Sequence, residues 1–136
     1  MAAEYGKIRW IGPHAVVTVP AEIDVTNADE IGQALLAAAS RGATVLIIDM
    51  SGTTFCDSAG VAAIIAAHKQ ATVTGTQLRL VATAVLRILT LTGAGQLIPI
   101  YPTLEAALTG DTPAQASTPD PGDKPAGTTP SGDPQG

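Results

Sequence analysis

Val45-Leu46-Ile47-Ile48-Asp49-Met50-Ser51-Gly52-Thr53-Thr54-Phe55-Cys56-Asp57-Ser58-Ala59-Gly60-Val61, running on through Ala62 to Ala67, decides the reading of this chain. Its first six residues are almost continuously apolar, as expected of a central strand covered on both faces. A polar loop follows, and Asp57-Ser58-Ala59-Gly60 then opens an Ala-rich helix. Asp57 is a natural N-cap, its carboxylate able to accept from the backbone N–H of Ala59 or Gly60. Ser58 falls at the first helical position with its side chain outward, at the positive end of the helix. Residues that follow a central strand lie at the carboxyl edge of the sheet, where open α/β folds place their sites.

Working outward, the elements alternate. Residues 7–11 and 15–19 are short strand patterns joined by Gly12-Pro13-His14, a hairpin turn. Thr26-Asn27-Ala28-Asp29 matches the capping box, Thr first and an acid three residues later. Ile31, Ala34, Leu35 and Ala38 then share one helical face, with Gly42 as the expected stop. After Ser58, Val61, Ile64, Ile65 and His68 recur at helical spacing. Downstream the pattern predicts a strand over 77–82, a helix over 85–91 with Thr83 as cap, a short strand over 97–101 and a helix over 103–108. The order ββαβαβαβα predicts an α/β domain, a mixed four- to five-stranded sheet, mostly parallel, with about four helices.

The chain has 136 residues, 46% hydrophobic, 14% charged and only 3% aromatic, so its core must be built from Val, Ile, Leu and Ala. Residues 1–110 read as one domain. From residue 111 to 136 there is no Ile, Leu, Val, Met or aromatic residue. Such a segment cannot bury enough apolar surface to offset its ordering entropy, and a disordered Pro/Gly/Ser/Thr-rich tail is expected. Up to residue 110, eight acids face six scattered bases. That balance gives no support for a nucleic-acid partner. No apolar run reaches the ~18–20 residues that span a bilayer, and the first residues lack a signal-peptide pattern. One cysteine excludes an internal disulfide. A cytoplasmic protein with no membrane partner is the expectation.

Several residues invite chemistry. Ser58 can carry a phosphate, which would add about 1.5–2 negative charges beside Asp57. At an effective dielectric near 20, two unit charges ~4 Å apart interact by about 4 kcal/mol. Roughly 2.7 kcal/mol already weakens binding about a hundredfold. Modification could therefore abolish an interface without unfolding the chain. The plainer alternative is a well-capped helix start with no further role. Cys56 could serve a redox switch, but Phe55 and Met50 beside it suggest a small buried hydrophobe, with no base to activate it. His68 lies ten residues from Ser58, ~15 Å along a helix, too far for a Ser–His pair. Neither a Gly-x-Ser-x-Gly elbow nor a triad partner is present, so no catalytic residue is expected. Asp24, Asp49 and Asp57 could gather at the sheet edge around Mg²⁺, yet no phosphate-cradling glycine loop accompanies them. Gly93-Ala94-Gly95 reads as a helix C-cap. No cofactor or metal is assigned.

The span from about residue 7 to 108 resembles the STAS domain, and in particular the bacterial anti-sigma factor antagonists. The matching residues are Glu22-Ile23-Asp24, Leu46-Ile47-Ile48-Asp49-Met50-Ser51, Phe55-Cys56-Asp57-Ser58-Ala59-Gly60-Val61, and Leu89-Thr90-Leu91-Thr92-Gly93. Ala21 and Ala62 depart from the glycines common there. The resemblance implies a non-enzymatic partner switch. An anti-sigma factor that is also a serine kinase would phosphorylate Ser58, and a phosphatase would reset it. The unmodified chain would bind that kinase and free a sigma factor. Asp24, Thr26, Asn27, Asp57, Ser58, Val61 and Thr83 would form the contact face. The alternative within the same fold is a scaffold or sensor module that binds a nucleotide or protein without phosphorylation, with Cys56 as a redox handle.

Overall fold

Alternation along Val45–Met50 organises the whole molecule. In the computed structural model, which describes residues 8–110, Leu46, Ile48 and Met50 enter one apolar cluster and Val45 and Ile47 enter another. Successive side chains of a strand point to opposite faces, so an unbroken apolar run requires cover on both.

That strand is β4. In chain order the elements are β1 (Arg9–Ile11), β2 (His14–Thr18), β3 (Glu22–Ile23), α1 (Ala28–Ala39), β4 (Val45–Met50), β5 (Phe55–Cys56) and α2 (Ser58–Thr74). They continue with β6 (Gln77–Ala82), α3 (Leu86–Leu91), α4 (Ala94–Leu97), β7 (Ile100–Tyr101) and α5 (Leu104–Thr109). The main sheet has the order β1-β2-β4-β6-β7. β1 pairs antiparallel with β2, and the other neighbours are parallel. The mixed α/β architecture expected from the sequence is therefore present.

The larger cluster packs α1 and α2, with Leu89 of α3 and Ala94 of α4, on one face of the sheet. α5 covers the other face through Leu104, Ala106, Ala107 and Leu108 against Val16, Ile47, Val81 and Tyr101. Small side chains let α1 and α2 approach closely; a Cβ on Gly32 would lie 3.6 Å from that of Ala63. This is how a chain with so few aromatics fills its interior.

Four details differ from the pattern reading. The Thr26 capping box does not form: Asn27 occupies the cap position of α1 without a side-chain cap bond. Thr26 instead donates its hydroxyl and its backbone N–H to Asp24 Oδ1, a local competition that Thr and Asp side chains often win. Thr83 likewise does not cap α3, which begins after Val85. Residues 97–101 are not one strand: Leu97 ends α4, and only Ile100 and Tyr101 pair with β6. Finally, the loop after β4 contains β5, which pairs parallel with β3 in a separate two-stranded sheet. The expected tail, residues 111–136, lies outside the described residues.

Candidate functional site

The β3–β5 pairing builds the site. Glu22 is opposite Phe55 and Ile23 opposite Cys56. The pairing is held by Thr54 and Phe55 N–H groups donating to the Ala21 carbonyl at 2.8 and 3.2 Å. Asp57 N–H continues the ladder to the Ile23 carbonyl at 3.1 Å. Below it, the buried Thr53 hydroxyl donates to the Pro20 carbonyl at 2.8 Å. Asp24 follows Ile23 directly and Ser58 follows Asp57, so this ladder sets the two loops side by side.

Asp57 caps α2 as the sequence implies. Its backbone is extended, and Oδ1 accepts from Ala59 and Gly60 N–H at 3.0 and 3.2 Å. Ser58, the first helical residue, is exposed. Because Asp57 already occupies those donors, a phosphate on Ser58 would project as an added charge rather than nest in the helix end. The first turn lies unusually close to the small sheet: a Cβ on Gly60 would come within 2.6 Å of Ile23 Cγ2 and 2.7 Å of Cys56 Sγ. Only glycine fits there.

The neighbouring loop is tightly tied. Asp24 N–H donates to Asn27 Oδ1 at 3.0 Å, and Asn27 Nδ2 donates to the Glu22 carbonyl at 2.8 Å. The Asp24 carbonyl accepts from the N–H groups of Asn27 and Ala28 at 3.1 and 2.9 Å. Hydrogen bonds from the Thr26 hydroxyl and N–H hold the Asp24 carboxyl below its ordinary pKa. The loop is thus a fixed shape beside Ser58, with Val25 projecting from it at 75% exposure.

The site residues expected from sequence divide clearly. Asp24, Thr26, Asn27, Asp57 and Ser58 come together. Thr83 is exposed just before Ala84, which lines a groove with Phe55. Val61 is a correction: it is 4% exposed and belongs to the core. Its helical position puts it on the same buried face as Ile64, so it packs the first turns of α2 onto the core.

Cys56 is buried, and burial, with Asp57 nearby, pushes its thiol up to about 11. Such a thiol holds little thiolate near neutral pH. Among the described residues no group of His, Cys, Asp and Glu is placed to hold a metal ion, so Asp24, Asp49 and Asp57 do not form a Mg²⁺ site. No helix among them is long and apolar enough to cross a membrane.

Pattern reading missed three exposed residues near this edge. Phe55 is half exposed, although its neighbour Cys56 is buried. Strand alternation explains the contrast, but a two-residue strand is too short to announce it in sequence. Val25 and Arg87 gave no periodic signal at all.

A STAS domain family model matches residues 6–107. No curated protein sequence matches the chain. Among solved structures, an anti-sigma factor antagonist from Mycobacterium paratuberculosis is 32% identical, with a TM-score of 0.71 over 76% of this chain and 90% of that one. An anti-sigma-factor antagonist (STAS) domain protein from Planctomyces limnophilus is 20% identical, with a TM-score of 0.68 over 76% and 94% of the two chains. The Bacillus cell fate determinant SpoIIAA in its phosphorylated form is 18% identical, with a TM-score of 0.58 over 76% and 96%. With the family model spanning most of the sequence and the sheet, helices and Asp57-Ser58 helix start all in place, the chain belongs to the STAS domain family.

Proposed function

We propose that this chain is an anti-sigma factor antagonist whose binding is switched off by phosphorylation of Ser58. The observation that carries the reading is the exposed residue Ser58 at the start of α2, beside the hydrogen-bonded Asp24–Asn27 loop. Two supports come from relatives. The Mycobacterium paratuberculosis protein, similar over nearly its whole length, is an anti-sigma factor antagonist. SpoIIAA, which shares the fold, is an anti-sigma factor antagonist known in unphosphorylated and phosphorylated forms.

In this reading the protein acts in the cytoplasm and is not itself an enzyme. The partner is an anti-sigma factor with serine-kinase activity, and a phosphatase restores the unmodified state. Unmodified, the chain occupies the anti-sigma factor and frees its sigma factor. The kinase transfers the γ-phosphoryl group of ATP to the Ser58 oxygen; ADP leaves, and the hydroxyl proton is released to a base on the kinase or to solvent. Asp57 fixes the helix start that presents the acceptor. The added charge then repels the partner while the fold stays intact.

Incubation with the host's anti-sigma kinase and ATP tests this. The wild-type chain should gain about 80 Da, one phosphoryl group, and Ser58→Ala should gain nothing. An unmodified wild-type chain that still binds the kinase tightly would favour the constitutive scaffold instead. The redox version of that scaffold has little support, because the Cys56 thiol is buried and protonated.

A further inference from the structure

Beside the Ser58 site, β5 and α3 enclose an open groove of about 330 Å³. Cys56, Val85 and Ile88 form its inner wall, and Phe55 and Leu91 stand at its mouth, 50% and 70% exposed. Arg87 is the one charged residue lining it; no carboxylate does, and among the described residues Arg87 makes no ion pair. The volume sits at the lower limit of small-molecule pockets, roughly 300–1,000 Å³. Apolar walls with a single cation at the rim suit a protein side chain better than a polar cofactor.

We infer that this groove is where the anti-sigma factor anchors, inserting an apolar side chain and setting an adjacent carboxylate against Arg87. The inference rests on the antagonist reading above and adds the chemistry of the partner. Exposed apolar surface of this kind marks interaction sites, and an apolar anchor with a rim charge gives both affinity and orientation.

The placement also says how phosphorylation is felt. Cys56 lines the groove and Ser58 is two residues further on, about 7 Å away at most. That is within the Debye length of roughly 8 Å at physiological salt. A phosphate on Ser58 would therefore add its negative charge beside the Cys56 end of the groove, next to where the partner docks.

The test titrates the purified anti-sigma factor identified by the phosphorylation experiment against wild type, Arg87→Glu, Arg87→Ala, Leu91→Ala and Ser58→Asp. Arg87 and Leu91 are exposed, and unchanged thermal unfolding would show that their variants fold. Arg87→Glu should bind at least about tenfold more weakly, Arg87→Ala less so, with the gap closing as salt is raised. Leu91→Ala should lose roughly tenfold. Wild-type affinity in either Arg87→Glu or Leu91→Ala overturns the groove assignment. If Ser58→Asp loses binding while those two keep it, only the groove fails. If Ser58→Asp binds as wild type does, the antagonist switch beneath it fails.

Discussion

Asp57 donates its backbone N–H to the carbonyl of Ile23 at 3.1 Å. The residue that caps α2 is thereby fixed to the residue that precedes Asp24. Through this bond, two loops more than thirty residues apart in sequence become one surface, and Ser58 is presented against a neighbour of defined shape. The geometry of the candidate switch depends on this contact more than on the helix itself.

Gly60 is the steric condition for that contact. A methyl group there would meet Ile23 and Cys56 at under 3 Å. Gly60→Ala should destabilise the domain by about 1–3 kcal/mol, as overpacking does. It should also slow phosphorylation of Ser58 more than the lost stability explains, because the first turn must shift outward. Thermal unfolding and a phosphorylation time course below the unfolding range check both parts; unchanged stability would contradict the packing.

Asp57 has a separable structural role. Asp57→Ala removes the acceptor for Ala59 and Gly60 N–H and should cost about 1 kcal/mol. For a domain of this size that lowers the melting temperature by roughly 4–8 °C. Asp57→Asn keeps an acceptor oxygen and should lose less. Equal losses in the two variants would show that charge, not capping, is what matters.

Cys56 should be a poor nucleophile in the folded protein. Its thiol is raised to about 11 by burial and then by Asp57. Alkylation by iodoacetamide at pH 8 should be much slower than in the denatured chain. The raised pKa also has a stability consequence. Below the unfolded value of 9.0 both states are protonated and stability is unaffected; as pH rises from there toward 11, the unfolded chain ionises first and stability falls. Fast labelling of native protein would contradict the burial.

Asp24 titrates in the opposite sense. Thr26 holds its carboxyl below the usual 3.8. The stabilisation is therefore complete above the unfolded pKa and is lost as pH falls through the lowered folded value. Thr26→Val removes the hydroxyl donor and should raise the Asp24 pKa, read by carboxyl NMR shifts. An unchanged value would mean that the hydroxyl does not hold the carboxylate.

Long-range order was legible where side-chain patterns are long. The apolar run of β4 and the helical spacing after Ser58 fix the sheet centre and α2, and Asp57 reads directly as a cap because capping is a local interaction. What escaped is short or depends on tertiary contact. The two-residue strands β3 and β5 have no period to detect, and their pairing joins distant segments. Thr26 had two local partners available, and the sequence pattern does not show that Asp24 wins over the helix end. Val61 looked available for contact until α2 was docked with that face on the sheet. The groove at Arg87 needed α3 placed against β5 before it existed.

The affinity of the purified anti-sigma factor for the unmodified chain, set against its affinity for the chain stoichiometrically phosphorylated on Ser58, is the most direct measurement. The account predicts a loss of about a hundredfold or more, equivalent to roughly 2.7 kcal/mol, with the fold unchanged by circular dichroism. Equal affinity of the two forms would contradict it.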